Sequence, residues 1–113
     1  LKLGDVHWVD LPDRGGREQR GRRPAVIWQD TAAFSGLPTI LVIPLSSQQG
    51  ALRFSGTALI QPSSANGLSL PSVALVFQIG ACDVRRIEQR IGRLSDSDLA
   101  TIRALARQLQ GLG

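Results

Sequence analysis

Cysteine and histidine are almost missing from this chain, which holds Cys82 and His7 and no others. A lone cysteine excludes an intramolecular disulfide and a cysteine-based zinc site, and a lone histidine removes most other transition-metal sets. The sequence therefore leads us to expect neither a metal nor a cofactor. Long apolar runs are missing too. The longest, Ile40 to Leu45, is far too short to cross a bilayer, and no apolar stretch follows Lys2 in the layout of a secretion signal. The expected setting is cytoplasmic, without a membrane partner. Negative charge is the scarcer sign: 9 acidic residues face 13 basic ones, 12 of them arginine, for a net charge of +4. Such a surplus points to an anionic partner, nucleic acid or an acidic protein segment, without choosing between them.

The 113 residues, 42% of them hydrophobic, are enough for one domain over 1–113 with a packed interior. Strands are expected at Asp5 to Leu11, where Val6, Trp8 and Leu11 set a half-buried face, and at Ala25 to Trp28 and Thr39 to Leu45. The last two are continuous apolar or β-branched runs, the pattern of strands buried on both faces. Pro38 and Pro44 are read as the margins of the third strand. Two more strands are expected at Phe54 to Gln61 and Ser72 to Ile79, around the turn cluster Pro62 to Gly67, and a short one at Ile87 to Ile91. Ser95 then reads as a helix N-cap, with Asp96 and Asp98 in the first turn. Leu99, Ile102, Leu105, Ala106 and Leu109 follow at helical spacing, Arg103 and Arg107 lie late, and Gly111 stops the helix. The fold class is mainly β with a C-terminal α-helix docked on a small, strongly curved barrel or half-open sheet.

The most informative stretch is Gly15 to Pro24, between the first two expected strands. With Arg14 it places five arginines and one carboxylate, Glu18, in a glycine-punctuated loop. Clustered guanidinium groups suit phosphate, which they grip bidentately. A basic loop can equally be a solvated connector. The flanking sequence separates these readings. Gly4-Asp5-Val6-His7-Trp8-Val9-Asp10-Leu11, the Gly-x-Glu-Gln-x-Gly-x-Arg-Pro loop and Val42-Ile43-Pro44-Leu45-Ser46-Ser47 together resemble the MazF/PemK family of toxin–antitoxin endoribonuclease toxins. Later pieces extend the resemblance over nearly the whole chain: the strand holding Gln78, Cys82-Asp83-Val84-Arg85-Arg86-Ile87, and Ile91-Gly92-Arg93-Leu94-Ser95.

The resemblance implies an SH3-like barrel with a C-terminal helix, of the plasmid-maintenance toxin type. It also implies a homodimer that cuts single-stranded RNA, messenger RNA included, without metal, so arresting translation and growth. Its partner would be a cognate antitoxin whose flexible acidic tail orders on the basic groove.

RNA can be cut by its own 2′-hydroxyl, so the protein must take up a proton, stabilise charge on the phosphoryl oxygens and assist departure of the 5′-oxygen. His7 lies inside the first strand beside Trp8 and is read as structural; where a branch of the family carries a loop histidine, this chain has Arg17. Arg23 is the leading catalytic candidate from the residues themselves, because Pro24 biases it toward an extended backbone at the mouth of a buried strand. The resemblance points to the same residue. A permanently protonated guanidinium stabilises charge rather than abstracting a proton; its bland alternative is a surface ion pair. Glu18, a weak base, would orient Arg23 or the 2′-hydroxyl, or simply hold the loop together. Ser46 and Ser47 occupy the place where the family carries a catalytic hydroxyl, and the sequence leaves open which of them faces the site. Arg14, Arg17, Gln19, Arg20, Arg22 and Gln78 are the expected RNA contacts. Many relatives carry an acid before that glutamine, where this chain has Phe77, read as core, subunit interface or base platform. Trp8 and Trp28 are read as core.

Two other readings stay open. The related CcdB family shares the fold but traps DNA gyrase through C-terminal residues that include a Trp; Leu109 to Gly113 carry none. A plain nucleic-acid-binding SH3-like domain without activity is the other.

Overall fold

The computed structural model describes all of residues 1–113. Seven strands and one helix follow in the order β1 (Asp5–Leu11), β2 (Gly21–Ile27), β3 (Thr39–Ser46), β4 (Thr57–Ile60), β5 (Ser72–Leu75), β6 (Gly80–Asp83), β7 (Ile87–Arg93) and α1 (Asp96–Leu109). All seven strands belong to one antiparallel sheet with neighbours β4-β5-β3-β2-β1-β7, and β6 pairs with β3 beside β5. β3 therefore carries three partners: β2 on one edge, and β6 then β5 on the other.

Both faces of the central strands are buried. Val6, Val26 and Ile43 stand opposite one another across β1, β2 and β3. They join Leu45, Ile60 and Val76 in the larger core, which α1 covers with Leu99, Ile102 and Ala106. Val9, Ala25, Ile27, Ile40, Val42 and Cys82 fill a second core on the other face. That double burial is why β2 and β3 read as unbroken apolar runs. The helix begins where expected: Ser95 Oγ accepts from the Asp98 N–H at 3.1 Å, and Arg107 lies in the last turn. Leu105 is half-buried at the core's edge and Leu109 is exposed.

No ladder joins β4 to β7. The connection between β4 and β5 bridges the gap instead, the Arg93 N–H donating to the Ala65 carbonyl at 2.8 Å. Asn66 organises this connection from within. It is buried, its Oδ1 accepts from Ser63 and Leu68 N–H groups, and its Nδ2 donates to the Gln61 carbonyl. Contact with β7 is so close that only glycine fits. A Cβ on Gly92 would lie 2.3 Å from the Asn66 carbonyl carbon and 2.4 Å from the Ala65 oxygen. Since both are backbone atoms that cannot swing aside, Gly92→Ala should destabilise the fold by about 1–3 kcal/mol, the usual cost of overpacking. Urea unfolding should read this as a lower midpoint at unchanged slope; an unaltered midpoint would mean that the connection is not seated on β7.

Four readings of the sequence are corrected. β2 starts at Gly21 rather than Ala25, so Arg22 and Arg23 are strand residues opposite Asp10 and Val9; Trp28 lies just beyond its end. The run Ser72 to Ile79 is not one strand: it turns through a 3-10 turn at Val76–Gln78, and a separate strand, β6, follows. β4 is shorter than Phe54 to Gln61, because Gln49–Arg53 forms a 3-10 turn that ends at Phe54. Pro44 is inside β3, opposite Ala25, at the place where β3 passes from β6 (last paired at Val42) to β5 (first paired at Leu45). No strand faces Pro44 on that side.

Candidate active site

The residues singled out in the sequence gather around two cavities. The larger, about 400 Å³, is lined by Arg14, Arg17, Glu18 and Gln19 from the β1–β2 loop and by Phe77 and Gln78 from the turn after β5. Hydrogen bonds pin the loop to that turn and to β6: the Gln19 N–H donates to Gln78 Oε1 at 2.8 Å, and Arg14 Nη2 donates to the Ala81 carbonyl. The smaller, about 240 Å³, collects Trp8, Arg22, Arg23, Pro24 and Ser47, with Leu70 among the residues facing them. Arg20 and Ser46 line neither cavity.

Each arginine of the loop has a different electrostatic fate. Arg20 pairs with Asp13 at 3.4 Å across exposed surface. Arg22 donates from Nε to Glu88 at 2.7 Å and lays its guanidinium 4.2 Å above the Trp8 ring. Arg14, Arg17 and Arg23 have no carboxylate within ion-pair distance. Arg23 is half-buried and held by its own Nε, which donates to the Arg20 carbonyl at 2.9 Å. A side chain tethered at Nε and unpaired with any acid keeps its charge for an anionic ligand. Glu18 is also unpaired, so it does not hold the loop arginines together.

The end of β3 separates the two serines. Ser46 points inward, is buried, and accepts from the Gln48 N–H at 3.2 Å. Ser47 is exposed and shares the smaller cavity with Arg23. His7 is buried, with Nδ1 2.9 Å from the Glu88 carbonyl and Nε2 enclosed without a partner. It is a strand-core residue, as its alternation indicates. Cys82, in the wall of the larger cavity, is no nucleophile: burial pushes its thiol above the ordinary value, against the pull of Arg14 and Arg86. Asp83 is held at about 2 by hydrogen bonds from Arg85 and stays ionised at neutral pH.

Glu88 and Leu70 are neighbours of Arg22 and Arg23 that the sequence reading did not select, and Trp8, read as core, is instead half-buried in the wall of the smaller cavity under Arg22. The signal for Trp8 was its register: two residues from Val6 on β1, it falls opposite Pro24. Nothing in the sequence places Glu88, 66 residues beyond Arg22, against it. The chain brings together no cluster of three or more His, Cys, Asp or Glu side chains suited to a metal, and no helix is long and apolar enough to cross a membrane.

Residues 2–109 match the family model of the PemK-like, MazF-like toxins of type II toxin–antitoxin systems. Among individual relatives, Endoribonuclease MazF of Staphylococcus saprophyticus is 29% identical over 102 residues, 90% of this chain and 84% of that protein. The fold is that of MazF (Form-I) from Deinococcus radiodurans, with a TM-score of 0.82 at 22% identity over 98% of this chain and 96% of that one. It is likewise that of an endoribonuclease solved in complex with its cognate antitoxin from a mycobacterial species, with a TM-score of 0.75 at 15% identity over 100% and 97%. This open, barrel-like sheet, with its arginine loop and C-terminal helix, belongs to the family of PemK-like, MazF-like toxins of type II toxin–antitoxin systems.

Proposed function

We propose that the chain is an endoribonuclease that cuts single-stranded RNA without a metal ion, by attack of the RNA's own 2′-hydroxyl. The observation that carries this reading is Arg23: alone among the three strand-end arginines Arg20, Arg22 and Arg23 it lacks an acidic partner, and it shares a cavity with the Ser47 hydroxyl. The scissile phosphate sits between them. As O2′ bonds to phosphorus and the bond to O5′ breaks, charge builds on the two non-bridging oxygens. Arg23 meets that charge with a fixed guanidinium, and Ser47 donates from its hydroxyl. The departing O5′ takes its proton from water, so the products are a 2′,3′-cyclic phosphate and a free 5′-hydroxyl. Glu18, unpaired and exposed, lines the other cavity, so the 2′-hydroxyl proton passes to water. Water is a weak base for that proton, so most of the acceleration rests on Arg23.

An RNA strand laid along the β1–β2 loop meets both cavities, the larger one offering Arg14, Arg17, Gln19 and Gln78 to its phosphates and bases. The same unpaired arginines suit an acidic antitoxin segment, which would inhibit by occupying them, and the working unit on this reading is a homodimer. The test is cleavage in excess EDTA. Discrete cuts in a single-stranded RNA should persist with chelator present; loss of cutting that one divalent ion restores would sink the metal-independent mechanism.

A further inference from the structure

We propose that Phe77, backed by Phe54 and Arg53, is a stacking platform for one unpaired nucleobase of the substrate, a subsite additional to the phosphate pocket and resting on the ribonuclease reading above. The chain has five aromatic residues, and Phe77 is the one that lines the arginine-rich larger cavity. Trp8 is covered by Arg22 at 4.2 Å, and Trp28 lies under Arg103 at 6.0 Å. Phe34 lies in the β2–β3 connection and lines neither of the two cavities described above. Phe54 carries the Arg53 guanidinium 4.3 Å above its ring. Phe34 and Phe54 are the more exposed rings, but Phe77, 37% exposed, is the one at the wall of the arginine-lined cavity.

Its setting is built rather than incidental. The Val76–Gln78 turn fixes Phe77 between buried Val76 and Gln78, and its N–H donates to the Gly56 carbonyl at 3.2 Å. The Phe54 ring braces it, centroid to centroid 5.6 Å at a 55° tilt. Arg53 has no acidic partner, so Arg53, Phe54 and Phe77 form a cationic, aromatic shelf beside the cavity. The second mark of a ligand is polar. Gln19 and Gln78 line the same cavity as Phe77, so amide side chains stand in the wall that a base stacked on the ring would face. Aromatic stacking with an amide at the base edge is the usual way proteins hold single-stranded RNA. The cavity of about 400 Å³ falls in the range of small-ligand sites.

The probe is a short oligoribonucleotide that the wild-type protein cuts at one place, with the attacking 2′-hydroxyl replaced by hydrogen so that only binding is read. Phe77→Ala should weaken its affinity about 5- to 150-fold, Phe77→Tyr should restore most of it, and Arg53→Gln should cost less than Phe77→Ala. An abasic scan along the oligonucleotide should find one position where removing the base erases the difference between wild type and Phe77→Ala. Equal affinity of wild type and Phe77→Ala would overturn the platform while leaving the ribonuclease reading intact. So would a loss spread evenly over every abasic position, or one accompanied by a change in sedimentation, which would make Phe77 a contact between copies of this chain. A wild-type protein that cuts no RNA would remove the ribonuclease reading and the platform with it.

Discussion

Arg23→Ala should cut RNA on the order of 100- to 1,000-fold more slowly than the wild type, the usual loss when one preorganised donor to a developing oxyanion is removed. Folding should hardly notice. Arg23 is half-buried at the start of β2, and the only bond it loses is the one from Nε to the Arg20 carbonyl, worth no more than about 1 kcal/mol. RNA affinity should fall much less than rate, because Arg14 and Arg17 remain unpaired in the loop. Arg23→Lys should rescue poorly, since an ammonium offers a point charge in place of a planar fork and has no Nε to anchor on Arg20. Arg22→Ala supplies the contrast. That guanidinium is already committed to Glu88 and Trp8, so its removal should cost the rate far less. Single-turnover kinetics with saturating protein separate the effects on rate from those on binding. If Arg23→Ala cuts at near wild-type speed while Arg22→Ala is crippled, the catalytic charge belongs to Arg22, and the Glu88 pair opens when RNA binds.

The sequence carried the frame of this fold because its signals were local. β1 and α1 were legible to the residue or nearly so: Val6, Trp8 and Leu11 mark Asp5–Leu11, and Ser95 with Asp96 and Asp98 marks the helix start. The strand from Ser72 to Ile79 was misread for the opposite reason. Val73, Leu75, Val76 and Ile79 look like one continuous strand, yet the chain turns at Val76–Gln78 so that β6 can pair with the first half of β3 while β5 pairs with the second. That choice is made by β3, about 30 residues earlier, and leaves no mark in the local pattern. The loop arginines were visible as a cluster, but their charges were not individually legible. Asp13 and Glu88 neutralise Arg20 and Arg22 and spare Arg23; one of these acids is a loop neighbour, and the other reaches the site only through the β1–β7 pairing. The choice between Ser46 and Ser47 follows from where β3 ends. Ser46, its last residue, is still buried like the four before it, and Ser47, just beyond, emerges at the cavity.

Replacing the ribose 5′ of the scissile phosphate by deoxyribose should stop cleavage at that phosphate altogether while leaving binding close to normal. The expectation follows from what this chain can and cannot supply. Its histidine is locked in the β1 core, with one ring nitrogen at the Glu88 carbonyl and the other enclosed. Its one thiol is kept protonated by burial. Ser47 shares its cavity with Arg22 and Arg23, and no free imidazole lines that cavity to activate it as a nucleophile. No group on the protein is therefore equipped to attack phosphorus, and the proposed mechanism gives that step to the substrate's own 2′-hydroxyl. Removing it takes away the nucleophile but none of the phosphate charges and none of the bases, so Arg14, Arg17 and Arg23 should still hold the strand. The deoxy substrate should accordingly behave as a competitive inhibitor whose inhibition constant lies close to the dissociation constant of the cleavable RNA. Products from the normal substrate should carry a 2′,3′-cyclic phosphate on one fragment and a 5′-hydroxyl on the other, which mass spectrometry distinguishes from a linear 3′-phosphate and from a 5′-phosphate. Cutting of the deoxy strand at the same position would mean that water or a protein hydroxyl attacks instead. Arg23 would then keep its role at the phosphate, but Ser47 would have to be reassigned from donor to nucleophile.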